Sequence, residues 1–163
     1  MAKSSRRAAR PVSHGGVPNA LFVVAAAERP PTELLSIADE LTINFPWGSL
    51  LRGALAFDDA AARGIAALLK PGASLSVLIS VTPRDRLNLD FLDEPGESGA
   101  LARRWANQGL QLVSVCPATE AETAASHSSW ARRLGVGRTR PAWRALLRRI
   151  ATGAANDDLE RAG

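Results

Sequence analysis

The sequence contains one cysteine, Cys116, and two histidines, His14 and His127. A single thiol excludes an internal disulfide and any cysteine-based zinc cluster, and with two histidines no metal site is expected. Cys116 falls inside an apolar strand pattern and reads as a small buried residue. His14 and His127 have no evident carboxylate or metal partner and read as solvated loop residues. No run of eighteen apolar residues occurs, so no transmembrane helix is expected. The N-terminus is basic, but no apolar stretch of the secretory-signal kind follows Arg10, and a reducing cytoplasm is the expected compartment. There is no Walker A sequence, no Ser-His-Asp arrangement and no carboxylate pair suited to general acid–base work. The common hydrolytic and nucleoside-triphosphate chemistries are therefore without their residues.

What is present suits one globular domain: 163 residues, 46% of them apolar, are enough for a real core. Charge is unevenly spread. Residues 1–27 carry Lys3, Arg6, Arg7 and Arg10 without an acid. Residues 123–156 carry Arg132, Arg133, Arg138, Arg140, Arg144, Arg148 and Arg149, again without an acid. Together these stretches hold more than half of the 20 basic residues and none of the 16 acids. Two basic flanks on an acidic body point to a polyanion partner, and the arginine fork binds phosphate bidentately. A genome biased toward alanine and arginine codons would give the same composition, so charge alone does not decide the matter.

The pattern along the chain alternates strands and helices. Residues 1–18 form a basic lead-in ending in His14-Gly15-Gly16-Val17-Pro18. Leu21-Phe22-Val23-Val24-Ala25 reads as a buried strand stopped by Glu28-Arg29-Pro30-Pro31, and Leu41-Thr42-Ile43-Asn44-Phe45 as a second, broken by Pro46-Trp47-Gly48. Asp58-Asp59 marks a helix start, Ala60 to Leu69 the helix, and Lys70-Pro71-Gly72 its stop. Leu75 to Val81 is a third strand. A polar stretch over 82–97 precedes a helix from Ala100 to Gln108, and Leu110 to Cys116 is a fourth strand. Residues 118–126 are expected to be helical and 127–140 a polar loop. Ala142 to Ile150 fits a strand or a basic helix equally, and 154–163 reads as a frayed tail. This alternation predicts an α/β fold with a largely parallel sheet, in which ligands bind beyond the carboxyl ends of the strands. Ala26-Ala27-Glu28, the segment from Asn44 to Ser49 and the stretch after Val81 fall at such ends.

Two tryptophans stand out. Trp47, between Pro46 and Gly48 just past a buried strand, is placed either to present its face over a cleft or to cap the sheet edge. Trp130 lies in the polar, basic run Ser128-Ser129-Trp130-Ala131-Arg132-Arg133-Leu134, where no apolar periodicity calls for core packing. Two such rings suit the capture of an extruded nucleobase, since each stack contributes about 1–3 kcal/mol. The neighbouring arginines would bind phosphates and set register. Trp105 lies on a helix and reads as core, while Trp143 fits surface packing or RNA contact. Glu28 reads either as an acceptor for a cofactor's polar groups or as a surface turn residue. Asn44 is a polar candidate for the same cleft.

Several segments together resemble the kanamycin–apramycin resistance methyltransferases, which modify N1 of adenine 1408 in 16S rRNA. They are Gly15-Gly16-Val17-Pro18-Asn19, Ala27-Glu28-Arg29, Phe45-Pro46-Trp47-Gly48-Ser49-Leu50-Leu51-Arg52-Gly53, Pro71-Gly72-Ala73 and Ser129-Trp130-Ala131-Arg132-Arg133-Leu134. The resemblance runs from Gly15 to about Arg140, and its Pro-Trp-Gly-Ser-Leu-Leu-Arg segment is the specific part. It implies a Rossmann-like fold dependent on S-adenosylmethionine, a 16S rRNA or 30S-subunit partner, no membrane, and aminoglycoside resistance as the outcome. It further implies that Ala27 and Glu28 lie beside the cofactor adenine, and that Asn44, Phe45, Pro46, Trp47, Gly48 and Ser49 line the cofactor and target pocket. Ser128, Ser129 and Trp130 would reach the cofactor region, Trp47 and Trp130 would sandwich the flipped adenine, and Arg132, Arg133, Arg138 and Arg140 would hold RNA.

The family's opening strand, Gly-rich turn and helix, and its second strand ending in an acid, have no counterpart here. That is roughly fifty residues, more than a βαβ unit. The expected architecture is thus a partial Rossmann-like methyltransferase fold over 19–150 with its N-terminal two strands missing, followed by a tail over 151–163. Either the start lies further upstream, or the chain is a truncated, non-catalytic RNA-binding remnant.

Overall fold

The computed structural model describes residues 10–81, 99–133, 135–136 and 140–151. Four strands form one sheet: β1 (Ala38–Asn44), β2 (Leu69–Ile79), β3 (Leu110–Pro117) and β4 (Trp143–Arg149). Five helices join them: α1 (Gly48–Ala54), α2 (Asp59–Ala67), α3 (Gly99–Ala106), α4 (Glu120–Ala125) and α5 (Ser129–Arg133). The spatial order is β1-β2-β4-β3.

The α/β class is as expected, but the sheet is mixed rather than largely parallel. β1 and β2 run parallel, whereas β4 inserts between β2 and β3 and is antiparallel to both. Ala142 to Ile150 therefore resolves as a strand. Ala145 and Leu147 alternate inward against Val77 and Leu75, and a central sheet position favours that period of two over a helix.

Two sequence readings fail for a common reason, which is that a strand needs a neighbour. Leu21 to Ala25 has strand composition but forms no strand, and Leu21 and Val24 are 80% and 86% exposed. Among the described residues no strand runs beside this segment, so its backbone has no ladder to join. Conversely, Lys70-Pro71-Gly72 does not stop a helix. It lies within β2, because α2 ends at Ala67 and the chain passes directly into pairing with β1 at Ala38↔Leu69. The stretch 82–97 and the tail 154–163 lie outside the described residues.

The helix start at Asp58 is as expected. Its carboxylate accepts from the backbone N–H groups of Ala60 and Ala61 at 3.1 Å, satisfying two otherwise open donors of the first turn. α2 then buries Ala62, Ile65 and Ala66 against one face of the sheet, where they meet Leu75, Val77, Ile79, Ala145 and Leu147. Leu101 and Trp105 of α3 complete this core, and Trp105 is fully buried, as its helical setting suggested. Trp143 packs half-buried against the same core. Cys116 is half-buried rather than fully so and accepts from Arg144 Nη2 at 3.7 Å.

The opposite face of the sheet is polar. Thr42, Asn44, Ser76 and Arg144 line a cavity of about 480 Å³ there, together with Glu122 and Ser126. A second, smaller buried cluster of Phe45, Leu78, Ala131, Val136 and Ala142 sits at the carboxyl end of β1 and β2.

Candidate functional site

The segment after β1 is held in an unusual backbone geometry. Phe45 has φ +50°, a left-handed conformation that costs a non-glycine residue about 1–3 kcal/mol. Its N–H donates to the Leu78 carbonyl at 2.7 Å, and its ring is buried in the smaller cluster. Pro46 is buried as well. Trp47 is then extended (φ −142°, ψ 165°) at the N-cap position of α1, and Gly48 follows with φ +60°, where a side chain would be strained. With Phe45 and Pro46 seated and Gly48 turning the chain, Trp47 stands 74% exposed. A tryptophan capping the sheet edge would be covered, so that alternative is excluded.

Trp130 is not on a loop as expected but on α5. The chain reaches it through α4, whose start is a capping box: Glu122 N–H donates to Thr119 Oγ1 at 3.1 Å, and Thr119 N–H donates to Glu122 Oε2 at 2.8 Å. Glu122 also pairs with Arg144 on β4 at 2.8 Å. The hydrogen bonds from Thr119's backbone and side chain, and then Arg144, hold the Glu122 carboxyl below the ordinary carboxylate value despite some opposing desolvation. Ser128 starts α5 by accepting from Ala131 N–H at 3.1 Å, so its hydroxyl oxygen is engaged as a cap. Ser129 is exposed. Trp130 is 37% exposed, while Ala131 beside it is buried in the same cluster as Phe45. Arg132 and Arg133 are exposed in the last turn of α5.

Arg140 is placed differently from those two. Its guanidinium lies over the Trp130 ring, 5.7 Å from the centroid, and donates through Nη2 to the Ser80 carbonyl at 3.4 Å. Ser80, buried, donates to the Pro141 carbonyl at 2.8 Å. Arg140 thus backs the ring as well as carrying charge. Arg138 lies outside the described residues.

Ala27 and Glu28 belong to a tight turn in which Arg29 N–H donates to the Ala26 carbonyl at 3.1 Å. The turn walls a mainly apolar cleft of about 430 Å³, with Leu41 and Ile43 of β1, Ile65 of α2 and Ser49 and Leu50 of α1 opposite. Glu28 and Ser49 supply its polar side chains. Asn44 lines the polar cavity on the other sheet face instead. Of the run from Asn44 to Ser49, Ser49 reaches the apolar cleft, and Phe45, Pro46, Trp47 and Gly48 line neither of these two cavities. His14 and His127 are exposed, and no three His, Cys, Asp or Glu side chains among the described residues are grouped to hold a metal.

Three positions that shape these surroundings have no counterpart among the residues singled out from the sequence. Gly64 interrupts the alanine-rich α2 and lies against the Ala27 turn, and a glycine in such a helix was the available signal. Glu122 carried the local Thr-x-x-Glu signal of a helix start but none of its pairing with Arg144, and Ser80 gave no signal, since Arg140 and Pro141 are some sixty residues away.

Two exposed tryptophans, each following or adjoining a residue of one buried cluster and one of them with arginines beside it, can bind a flat heterocycle attached to a phosphate backbone. Comparisons with known proteins agree with that chemistry. Residues 1–149 match the family model described as 16S rRNA (adenine(1408)-N(1))-methyltransferase. The chain is 39% identical over 145 residues to a protein of that name from Streptoalloteichus tenebrarius, covering 86% of this chain and 66% of that one. It is 30% identical over 147 residues to one from Escherichia coli, covering 86% and 67%. Among solved structures, the Catenulisporales acidiphilia enzyme, as a tryptophan-to-alanine mutant with cosubstrate SAM, superposes with a TM-score of 0.75 at 32% identity, covering 94% of this chain and 71% of that one. The 16S rRNA methyltransferase KamB gives 0.74 at 34% identity, covering 92% and 72%. The chain spans 66% of the length of the Streptoalloteichus relatives it matches.

Proposed function

The chain belongs to the 16S rRNA (adenine(1408)-N(1))-methyltransferase family, and on that premise we propose that it methylates N1 of an adenine in 16S rRNA at the expense of S-adenosylmethionine. The 30S subunit is the partner, the cytoplasm the compartment and aminoglycoside resistance the consequence. The observation that carries this reading is the shared burial of Phe45 and Ala131, which sets the neighbouring Trp47 and Trp130 at the same end of the sheet.

Trp47 and Trp130 hold the extruded adenine between them. Stacking on each ring, about 1–3 kcal/mol, offsets the few kcal/mol lost on unstacking the base. Adenine N1 already carries a lone pair, so alignment rather than proton abstraction is what the site must provide. The methylated base is cationic, and the two ring faces tolerate that charge. Arg132 and Arg133 pair with phosphates flanking the target, Arg140 adds charge beside Trp130, and the family resemblance gives Arg138 the same RNA-binding role.

The apolar cleft suits the adenosyl part of the methyl donor. Its walls are alkyl side chains that a purine would cover, and Glu28 supplies a carboxylate to accept from ribose hydroxyls or the amino group. When bound, S-adenosylmethionine supplies a methyl group on a sulfonium. Ala27 and Glu28 hold its adenosyl end and Ser49 faces the same cleft, whereas Asn44 lines the polar cavity and Ser128 and Ser129, at the start of α5, lie outside the cleft's lining.

The test is incubation with unmodified 30S subunits and radiolabelled S-adenosylmethionine, followed by primer extension. Label at a single adenine of 16S rRNA is expected. Binding to subunits without label transfer would overturn the enzymatic reading and leave RNA binding alone.

A further inference from the structure

The turn that carries Ala27 and Glu28 does not stand free; it rests on the middle of α2. A methyl group built on Gly64 would lie 1.8 Å from the Ala27 carbonyl oxygen and 3.1 Å from Pro30 Cδ. The first distance is less than any non-bonded contact permits, and the obstacle is backbone, which cannot rotate aside. Gly64 is buried and sits in a helix otherwise rich in alanine, where glycine is disfavoured. Helix propensity therefore does not account for it, whereas the approach of the Ala27 peptide does.

Besides this seat, Ala27 packs against the main core cluster. The segment before it joins no strand, and within the turn the bracing bond runs from Arg29 N–H to the Ala26 carbonyl. Ile65, next to Gly64, lines the apolar cleft that Ala27 and Glu28 wall from the other side. The depth of that cleft is thus set by how closely the turn approaches α2.

We propose that Gly64 is a positioning residue for the methyl donor: by admitting the Ala27 peptide against α2, it sets the width of the adenosyl cleft and the placement of Glu28. This rests on the cleft being the adenosyl site. Any residue with a Cβ at position 64 forces the turn outward and widens the cleft at its polar rim. Binding of S-adenosylmethionine weakens, while the core beneath α2, built from Ala62, Ile65 and Ala66, remains in place.

The experiment combines nuclear magnetic resonance on the unaltered protein with calorimetry on two variants. A nuclear Overhauser contact between Gly64 Hα and Pro30 Hδ is expected; its absence in the folded protein would overturn the seat without any mutation. Gly64→Ala should bind S-adenosylmethionine about tenfold more weakly or worse and lose hydrogen-exchange protection at the Arg29 amide. Arg103→Ala, exposed on α3 and outside the linings of the cavities around the turn, should match the unaltered protein in both. A purely structural role for Gly64 would lower the urea midpoint while leaving the affinity of the folded variant unchanged, and that result would overturn the proposal. Unaltered protein that binds no S-adenosylmethionine would overturn the adenosyl reading of the cleft itself. Equal binding by Gly64→Ala would overturn only the role of Gly64.

Discussion

Phe45 and Ala131 lie in one buried cluster, although they come from opposite ends of the sequence pattern: one follows the first strand, the other sits on the last helix. Trp47 and Trp130 inherit their placement from these two buried anchors. Filling that cluster should therefore disturb both stability and site. Ala131→Leu is expected to destabilise the fold by about 1–3 kcal/mol through overpacking, read as a lowered urea midpoint, and to raise the accessibility of Trp130 to acrylamide quenching. Unchanged quenching would separate Ala131 from Trp130's orientation.

The tryptophans themselves should separate base capture from donor binding. Trp47→Ala or Trp130→Ala is expected to abolish methylation of 30S subunits while S-adenosylmethionine affinity, measured by calorimetry, stays within a fewfold of the unaltered protein. Trp130→Phe should retain partial activity because a stacking face remains. Full activity in either alanine variant would remove that ring from the base clamp.

Arg132 and Arg133 are exposed, whereas Arg140 is tied to Ser80 and Trp130. Removing either exposed arginine should weaken RNA binding and flatten the salt dependence of log K by about 0.7–0.9 per residue. Arg140→Lys should behave differently, with a smaller change in slope but altered Trp130 fluorescence, because lysine keeps the charge and loses the planar stack. Filter binding to a decoding-site RNA across a salt series checks both.

The carboxyl of Glu122 is held below its ordinary value by Thr119 and then Arg144. A depressed carboxylate contributes stability that is fully present above the unfolded-state value, 4.5, and is lost as pH falls below that and through the lower folded-state value. The urea midpoint should therefore drop on acidification, and Glu122→Gln should show a lower midpoint at neutral pH and a shallower acid limb. Identical acid limbs would assign the loss to other carboxylates.

Asp58 offers a simpler check of the frame behind the site. Asp58→Ala removes both N-cap hydrogen bonds of α2 and should cost about 0.5–2 kcal/mol in denaturant unfolding. Asp58→Asn should recover most of it.

These outcomes depend on features of unequal visibility in the sequence. The Asp58 cap, the burial of Trp105 and three of the four strands were legible because each is encoded locally: a capping side chain precedes its helix, and apolar period distinguishes helix from strand. The exposure of Trp47 was legible as one of two alternatives, from Pro46 and Gly48 on either side. Leu21 to Ala25 misled because strand propensity is realised only when a neighbouring strand accepts its hydrogen bonds. Lys70-Pro71-Gly72 misled because β2 begins within one residue of the helix end, and Pro71 falls in the register irregularity between the Leu69 and Ser74 pairings with β1.

By itself, then, the sequence determined the family motifs, the two tryptophans and the alternation of helix and strand, all of which depend on residues close together in the chain. Only the tertiary structure decided that β4 runs antiparallel between β2 and β3, that Phe45 and Ala131 share a cluster, that Arg140 backs Trp130, and that Gly64 gives way to Ala27. Each of those is a contact between distant segments, set by which surfaces can be buried together rather than by any local preference of the chain.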